Sequence, residues 1–286
     1  HGGKSHTTMT ASMMLDLEQI MLKHRINVVL VYGDCNTTLA GALVASKLNI
    51  PIIHVEAGLR SFDRSMPEEI NRILTDSISD MLFCPTKEAV DNIHPTKDQK
   101  TVICGDLMVE LLYRLTPTIK TNKLVDFPEK YFLVTIHRQS NTTDERLRYI
   151  ISKLEKLPYQ AVFCVHPRTK QKIQQYGIRL PKNILKMNPM GYVSMMTALY
   201  NCTAVITDSG GLQKEAYVLK KPCFTMRKST EWVELVKCGW NKLIYNKFPK
   251  DIIKDIDNMK KKPHKELWIK NTSEIIVKNI ISCYFR

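Results

Sequence analysis

The sequence predicts an α/β protein of two domains, each a parallel sheet with helices on both faces. Three observations carry this. Strand-like and helix-like segments alternate almost throughout the 286 residues, the pattern of parallel strands joined by helical crossovers. Continuous β-branched runs such as Ile26 to Tyr32 (INVVLVY) mark strands buried on both faces. A polar, proline-containing stretch from Pro117 to Lys130 interrupts the rhythm once and reads as an interdomain linker. The boundaries that follow are a first domain over 1–116, a linker over 117–130 and a second domain over 131–270. A C-terminal helix over 271–286 is expected to pack back on the first domain. Two such domains facing each other form a cleft, where ligands bind.

The elements follow in order. Thr7 to His24 carries Met13, Met14, Leu17, Ile20 and Met21 on one helical stripe. Gly33-Asp34 ends the Ile26–Tyr32 strand, and a small-residue helix runs from Thr37 to Leu48. Pro51 to Val55 is the next strand. Pro67 opens a helix at a favoured first position, with Glu68 and Glu69 in its first turn. Met81–Cys84 and Val102–Cys104 are short strands. In the second series the expected strands are Tyr131–Ile136, Ala161–Val165, Ile184–Met187, Ala204–Thr207, Cys223–Thr225 and Lys242–Ile244.

Composition excludes several classes. Hydrophobic residues make up 44% and charged residues 24%, a globular mixture. No apolar run is long enough to span a bilayer and no signal-peptide pattern is present, so neither a membrane nor secretion is expected and a cytoplasmic protein is. Lys and Arg number 42 against 28 Asp and Glu, a net charge of +14. The lysines are scattered, densest at Lys260-Lys261-Lys262, and lack the aromatic-interleaved stripe of a nucleic-acid binder. They read as a solvated surface whose field also attracts anionic small substrates. Eight cysteines without metal-type spacing read as buried thiols in a reducing compartment, with no disulfide and no zinc.

The chemistry concentrates in His54 to Arg72, HVEAGLRSFDRSMPEEINR. Carboxylates and guanidinia crowd a strand end there, the edge at which open parallel sheets bind ligands. Glu56 follows directly on its strand and has no capping job; the alternative is an ion pair with Arg60 or Arg72. Asp34 ends the preceding strand and is equally readable as a turn or cap residue. Glu68 has the stronger structural alternative, since acidic residues are routine in a first helical turn. Three carboxylates near one point would repel, which raises at least one pKa and makes a general acid or base. In the second half, Thr207-Asp208-Ser209-Gly210-Gly211 lies between a strand and a helix. Such a turn can cradle a diphosphate at the helix N-terminus, with Glu215 one turn on for ribose hydroxyls; a plain N-cap is the alternative. His137-Arg138 and His166-Pro167-Arg168 end successive strands and suit a phosphate-rich ligand, with His137 favoured. Gly2-Gly3-Lys4-Ser5 imitates the tail of a phosphate loop without its upstream glycine or strand. No G-x-G-x-x-G follows a strand, which argues against a resident NAD.

Taken together, Tyr32-Gly33-Asp34, His54-Val55-Glu56-Ala57-Gly58-Leu59-Arg60-Ser61, Met66-Pro67-Glu68-Glu69-Ile70-Asn71-Arg72, Thr135-Ile136-His137-Arg138 and Thr207-Asp208-Ser209-Gly210-Gly211-Leu212-Gln213 resemble the non-hydrolysing UDP-N-acetylglucosamine 2-epimerase family. The resemblance implies two Rossmann-like domains facing a cleft, the glycosyltransferase-B-like arrangement. It implies inversion at C2 of a UDP-acetamido sugar through elimination and re-addition of UDP, with a glycal intermediate and no cofactor. By matched position it implies Asp34, Glu56, Glu68 and His137 as catalytic groups. Arg60, Arg72, Arg138, Tyr192, Ser209, Gly210, Gly211, Glu215 and Arg227 would bind substrate. A homodimer and a role in polysaccharide precursor synthesis are also what the family suggests. The chain departs from the family in three places. The family's first strand and its Gly-Thr-Arg-Pro-Glu-type loop have no counterpart, so the first domain is expected to be truncated at its N-terminus. Ser140 stands in place of a glutamate, and Lys214 where an acidic residue is common. Two alternatives remain: a glycosyltransferase on the same fold, and a UDP-sugar-binding homologue that no longer turns over.

Overall fold

The structure, a computed structural model, describes residues 5–124 and 126–285. Gly2, Gly3 and Lys4 of the phosphate-loop imitation lie outside the described residues. Ser5 caps the first helix by accepting from the Thr8 amide at 3.2 Å. In chain order the elements are α1 (His6–His24), β1 (Val29–Tyr32), α2 (Asn36–Lys47), β2 (Ile52–Val55), α3 (Pro67–Ile78), β3 (Met81–Cys84), α4 (Lys87–Asp91), β4 (Lys100–Ile103) and α5 (Leu107–Thr121). There follow β5 (Tyr131–Thr135), α6 (Asp144–Leu154), β6 (Gln160–Cys164), α7 (Pro167–Gln175), β7 (Ile184–Met187), α8 (Tyr192–Asn201), β8 (Ala204–Thr207) and α9 (Gly210–Val218). The series closes with β9 (Cys223–Thr225), α10 (Val233–Lys237), β10 (Asn241–Leu243), α11 (Ile252–Lys260) and α12 (Thr272–Tyr284). Every strand pairing among the described residues is parallel, as the alternation requires.

The chain divides into two compact units. One comprises the described residues up to Glu110 together with those from Glu266 onward; the other runs from Leu111 to Lys265. In the first unit the sheet order is β1-β2-β3-β4. Side chains on β2 alternate: Ile52 joins Val31, Val44 and Met21 on one face, whereas Ile53 and Val55 join Phe83 and Ile276 on the other. Ile276 belongs to α12, so the C-terminal helix completes this core. Glu110 fixes that helix by accepting from the Ser273 amide at 2.7 Å and its hydroxyl at 2.8 Å.

In the second unit the order is β10-β9-β8-β5-β6-β7. Phe132 and Val134 face one cluster, Tyr131 and Leu133 the other; both faces are covered, which is why β5 is an unbroken apolar run. Chain order reverses between β5 and β8. The carboxyl ends of strands flanking such a reversal form the usual ligand crevice of an open α/β sheet.

Two expectations are corrected. The Pro117–Lys130 stretch is not wholly a linker, because α5 continues through Pro117 to Thr121. Leu112 and Ile119 on that helix are fully buried in the second unit's core, and their burial outweighs the one hydrogen bond that proline forgoes. The Ile26–Tyr32 strand is also shorter than expected and not buried on both faces. β1 lies at the end of its sheet order, and Leu30 and Tyr32 are 37% and 53% exposed.

Gly58 is the most tightly constrained position that the His54–Arg72 motif shows by its backbone. Its φ is +81°, and a Cβ there would lie 2.1 Å from the Ala89 carbonyl oxygen. Gly58→Ala is expected to destabilise the first unit by about 2–4 kcal/mol, combining left-handed strain with backbone overlap. Denaturant unfolding checks this; an unchanged midpoint would refute it.

Candidate active site

Asp34 and Glu56 leave adjacent parallel strands, β1 and β2, at their carboxyl ends. Glu56 holds a left-handed backbone at φ +71°, a conformation that costs a non-glycine residue about 1–3 kcal/mol. The turn lets the amides of Glu56 and Ala57 both reach the Phe83 carbonyl, at 3.1 and 3.0 Å. It also brings the Glu56 carboxylate over the preceding strand end. A Cβ built on Gly33 would lie 3.5 Å from Glu56 Oε2. The two carboxylate-bearing positions are thus neighbours across the sheet edge. Glu68 is partly exposed in the first turn of α3.

The arginines expected on the ligand are turned inward. Arg72 is 2% exposed and bridges two carboxylates: Nη1 donates to Asp34 Oδ2 at 2.6 Å, and Nη2 and Nε donate to Glu69 Oε2 at 2.6 and 3.1 Å. Glu69 also accepts from the Ser61 amide and hydroxyl and from the Phe62 amide, at 2.8, 2.9 and 2.9 Å. Burial opposes its ionisation, but the Ser61 amide and the Arg72 guanidinium outweigh that and hold its carboxyl below the ordinary value. Arg60 reaches Asp76 Oδ2 at 2.6 Å. The Asp34 side chain keeps 38% of its surface exposed, so one carboxylate of this group stays open to solvent while its partners are sealed in.

In the second unit the organising group is Asp208, the residue between β8 and the Ser209-Gly210 turn, and it is fully buried. Its carboxylate accepts from the His137 amide at 3.0 Å, the Arg138 amide at 2.9 Å and Asn141 Nδ2 at 3.0 Å, and pairs with His137 Nδ1 at 3.1 Å. Burial would raise the Asp208 carboxyl, yet the His137 ring, then Asn141 and the Arg138 amide, hold it below the ordinary value. Arg138 Nε returns a bond to the Asp208 carbonyl at 3.0 Å. The loops after β5 and β8 are therefore stitched together at the reversal point. His166, after β6, stands 5.4 Å from His137 between ring centres. Burial first, then the neighbouring His137 and Arg168 charges, lower its pKa.

Ser209 caps α9 by accepting from the Leu212 amide at 3.4 Å. Gly210 also lies against a side chain of its own unit: a Cβ there would be 2.1 Å from Glu231 Oε1. Glu231 pairs with Arg227 at 2.7 Å. Burial opposes its charge, and the Arg227 guanidinium overcomes this, taking its pKa from 4.5 to about 2. Gly211 is exposed at the start of α9, Glu215 is buried one turn on, and Tyr192 is half-buried at the start of α8.

Sequence reasoning gave no role to Asp76, Asp208, Asn141 or Glu231. Asp76 lies one helical turn beyond Arg72, on the same buried face of α3, and that spacing was the available signal. Asp208 stands inside a motif already named, without an assigned partner.

The family profile described as UDP-N-acetylglucosamine 2-epimerase matches residues 1–280. The chain belongs to that family. Among family members, the UDP-2,3-diacetamido-2,3-dideoxy-D-glucuronate 2-epimerase of Pseudomonas aeruginosa is 46% identical over 252 residues, 85% of this chain and 70% of the relative. The UDP-N-acetylglucosamine 2-epimerase of Methanocaldococcus jannaschii is 40% identical over 261 residues, 85% of this chain and 71% of the relative. A crystal structure of the M. jannaschii enzyme in complex with UDP-GlcNAc and UDP matches with a TM-score of 0.89 at 37% identity, covering 98% of this chain and 83% of that one.

The depressed carboxyls carry a pH signature. A carboxyl lowered in the folded state contributes stability that is complete above its ordinary value and is lost as pH falls through the folded value. For Glu231 that window runs from 4.5 down to about 2, and the amount is on the order of 3 kcal/mol. Stability should fall through this window on acidification, and Glu231→Gln should flatten that limb while lowering stability at neutral pH. An unchanged acid limb in the variant, read by denaturant unfolding across the window, would refute the assignment.

Proposed function

We propose that this protein is a sugar-nucleotide 2-epimerase that interconverts UDP-GlcNAc and UDP-ManNAc, or the corresponding pair of a related UDP-acetamido sugar. The observation that carries the reading is the pair of carboxylate positions, Asp34 and Glu56, at adjacent strand ends in a member of this family.

The C2 proton of such a sugar is not acidic, because no carbonyl adjoins it on the ring. It becomes removable when UDP departs from C1 and positive charge builds on the ring carbon. In the forward direction a carboxylate takes the C2 proton, the C1–oxygen bond to UDP breaks with its electron pair leaving on the diphosphate, and a C1–C2 double bond forms. Return of UDP to C1, with a proton delivered to the other face of C2, completes the inversion. Asp34, Glu56 and Glu68 are assigned as the acid/base set. His137 and Arg138, with the Ser209-Gly210-Gly211 turn and the N-terminus of α9, receive the developing charge on the diphosphate. Glu215 is assigned to the ribose, and Tyr192 and Arg227 to the nucleotide side of the site. Arg60 and Arg72 act through the carboxylates they bind.

The sugar is assigned by class alone. Relatives at 46% and 40% identity act on a diacetamido uronate and on an N-acetylglucosamine nucleotide, by their names. The proposal includes a cytoplasmic homodimer supplying polysaccharide precursors. The eight cysteines are all free thiols, which suits a reducing compartment. Leu15 and Leu22 on α1 are 65% and 60% exposed, an apolar stripe fit to meet a second copy.

Incubation in deuterated water with UDP-GlcNAc, and separately with UDP-2,3-diacetamido-glucuronate, should place deuterium at C2 of whichever sugar is the substrate. Asp34→Asn and Glu56→Gln should each lower kcat by about 10²- to 10⁴-fold while UDP still binds by calorimetry. UDP binding with no exchange into any UDP-acetamido sugar would sink the epimerase reading. UDP release that requires an acceptor would indicate a transferase instead.

A further inference from the structure

We infer that His54, held in place by Asp76, is a positioning residue for Asp34 and acts through the Gly33–Asp34 peptide. The inference rests on the acid/base role proposed for Asp34.

His54 is the third residue of β2 and is fully buried. It sits on the strand face it shares with Ile52, where an apolar side chain would satisfy the core. Its Nε2 lies 2.8 Å from the Gly33 carbonyl oxygen. A carbonyl has no hydrogen to give, so the ring donates. That oxygen belongs to the same rigid plane as the Asp34 amide, so the bond fixes the plane from which the Asp34 Cα departs. The fixing matters at this point of the chain because Gly33, at φ +64°, has no Cβ to limit its rotation.

Asp34 is restrained from two further sides. Its own carbonyl accepts from Asn71 Nδ2 at 2.9 Å, and its carboxylate is bound by Arg72. His54 differs from these two restraints in what stands behind it. Its Nδ1 lies 2.7 Å from Asp76 Oδ1, while Asp76 Oδ2 takes Arg60 Nη1 at 2.6 Å and the Gly58 amide at 3.1 Å. Gly58 and Arg60 belong to the loop that continues from Glu56. One buried carboxylate therefore ties the peptide before Asp34 to the loop after Glu56, and the two acid/base candidates share an anchor. A purely structural ion pair accounts for Asp76 with Arg60. It does not account for a histidine whose opposite nitrogen is spent on the one carbonyl next to Asp34.

Two substitutions separate the ring's two bonds. In His54→Gln the side-chain amide can reach the position of Nε2 and keep the Gly33 bond while losing Asp76. In His54→Asn it can reach the position of Nδ1 and keep Asp76 while losing Gly33. If His54 serves Asp34, His54→Asn should lose about 100-fold in kcat, the scale of a misplacement of about 1 Å. His54→Gln should retain substantially more, and KM and UDP affinity should stay within about threefold in both. Equal kcat in the two variants, a better His54→Asn, or a rise in KM that accounts for the loss would each overturn the positioning role. Should either variant fail to fold by circular dichroism, Asp76→Asn decides. A kcat loss on the order of 10-fold at unchanged KM, as for other outer partners that orient a histidine, supports the role, and full activity overturns it. Absence of C2 exchange in the unaltered protein overturns both this inference and the reading of Asp34; normal exchange there with indifferent variants overturns this inference alone.

Discussion

The Arg72 guanidinium is the point on which the first unit's candidate site depends. It is buried, and burying a cation is costly unless its donors are matched. Glu69, Ser61 and Asp34 supply the match. Because a guanidinium is planar and presents its donors at fixed angles, matching it fixes three pieces of chain at once: the helix that carries Arg72 and Glu69, the loop at Ser61 and Phe62, and the end of β1. Glu69 is neutralised and sealed, and Asp34 is anchored by one oxygen with part of its surface left in solvent. An inward-facing arginine thus pairs off one carboxylate of the cluster and holds a second in place with part of its surface open.

The second unit solves the same problem with the charges reversed. There the buried ion is an anion, Asp208, and its donors are two backbone amides and two side chains just beyond β5. In both units a buried charge at the carboxyl end of a parallel strand gathers the neighbouring loops. This economy follows from parallel topology: all strands of a sheet end on one edge, so one side chain can serve two or three strand exits.

Much of this could be read from the residues. Strands such as Met81–Cys84 and Ala204–Thr207 announced themselves as short, mainly apolar runs between turn signals, because both of their faces are buried. Ser209-Gly210 announced a helix start. Side-chain direction could not be read. The family resemblance places Arg60 and Arg72 on the substrate, and the carboxylates that they meet, Asp76 and Glu69 among them, are brought to them only by folding. His54 looked like part of an apolar strand for the same reason: its partners, Gly33 and Asp76, lie 21 and 22 residues away. Pro117 misled because local propensity marks a break, whereas Leu112 and Ile119 on the same helix draw it into a core. β1 misled because a β-branched run reports that a strand forms, not how many neighbours it has.

The return of α12 to the first unit has a consequence for biosynthesis. Ile276 and the Ser273 contact to Glu110 complete a core whose other members lie before residue 111. A ribosome delivers those members first and Ile276 only after the whole of the second unit. The second unit is continuous in sequence and can close while the chain is still emerging, but the first must hold an unfinished apolar face until the residues beyond the second unit have followed. Vectorial synthesis therefore inverts the order of the two units: the one whose first strands are made first is completed after the other, and it is the one that carries Asp34 and Glu56.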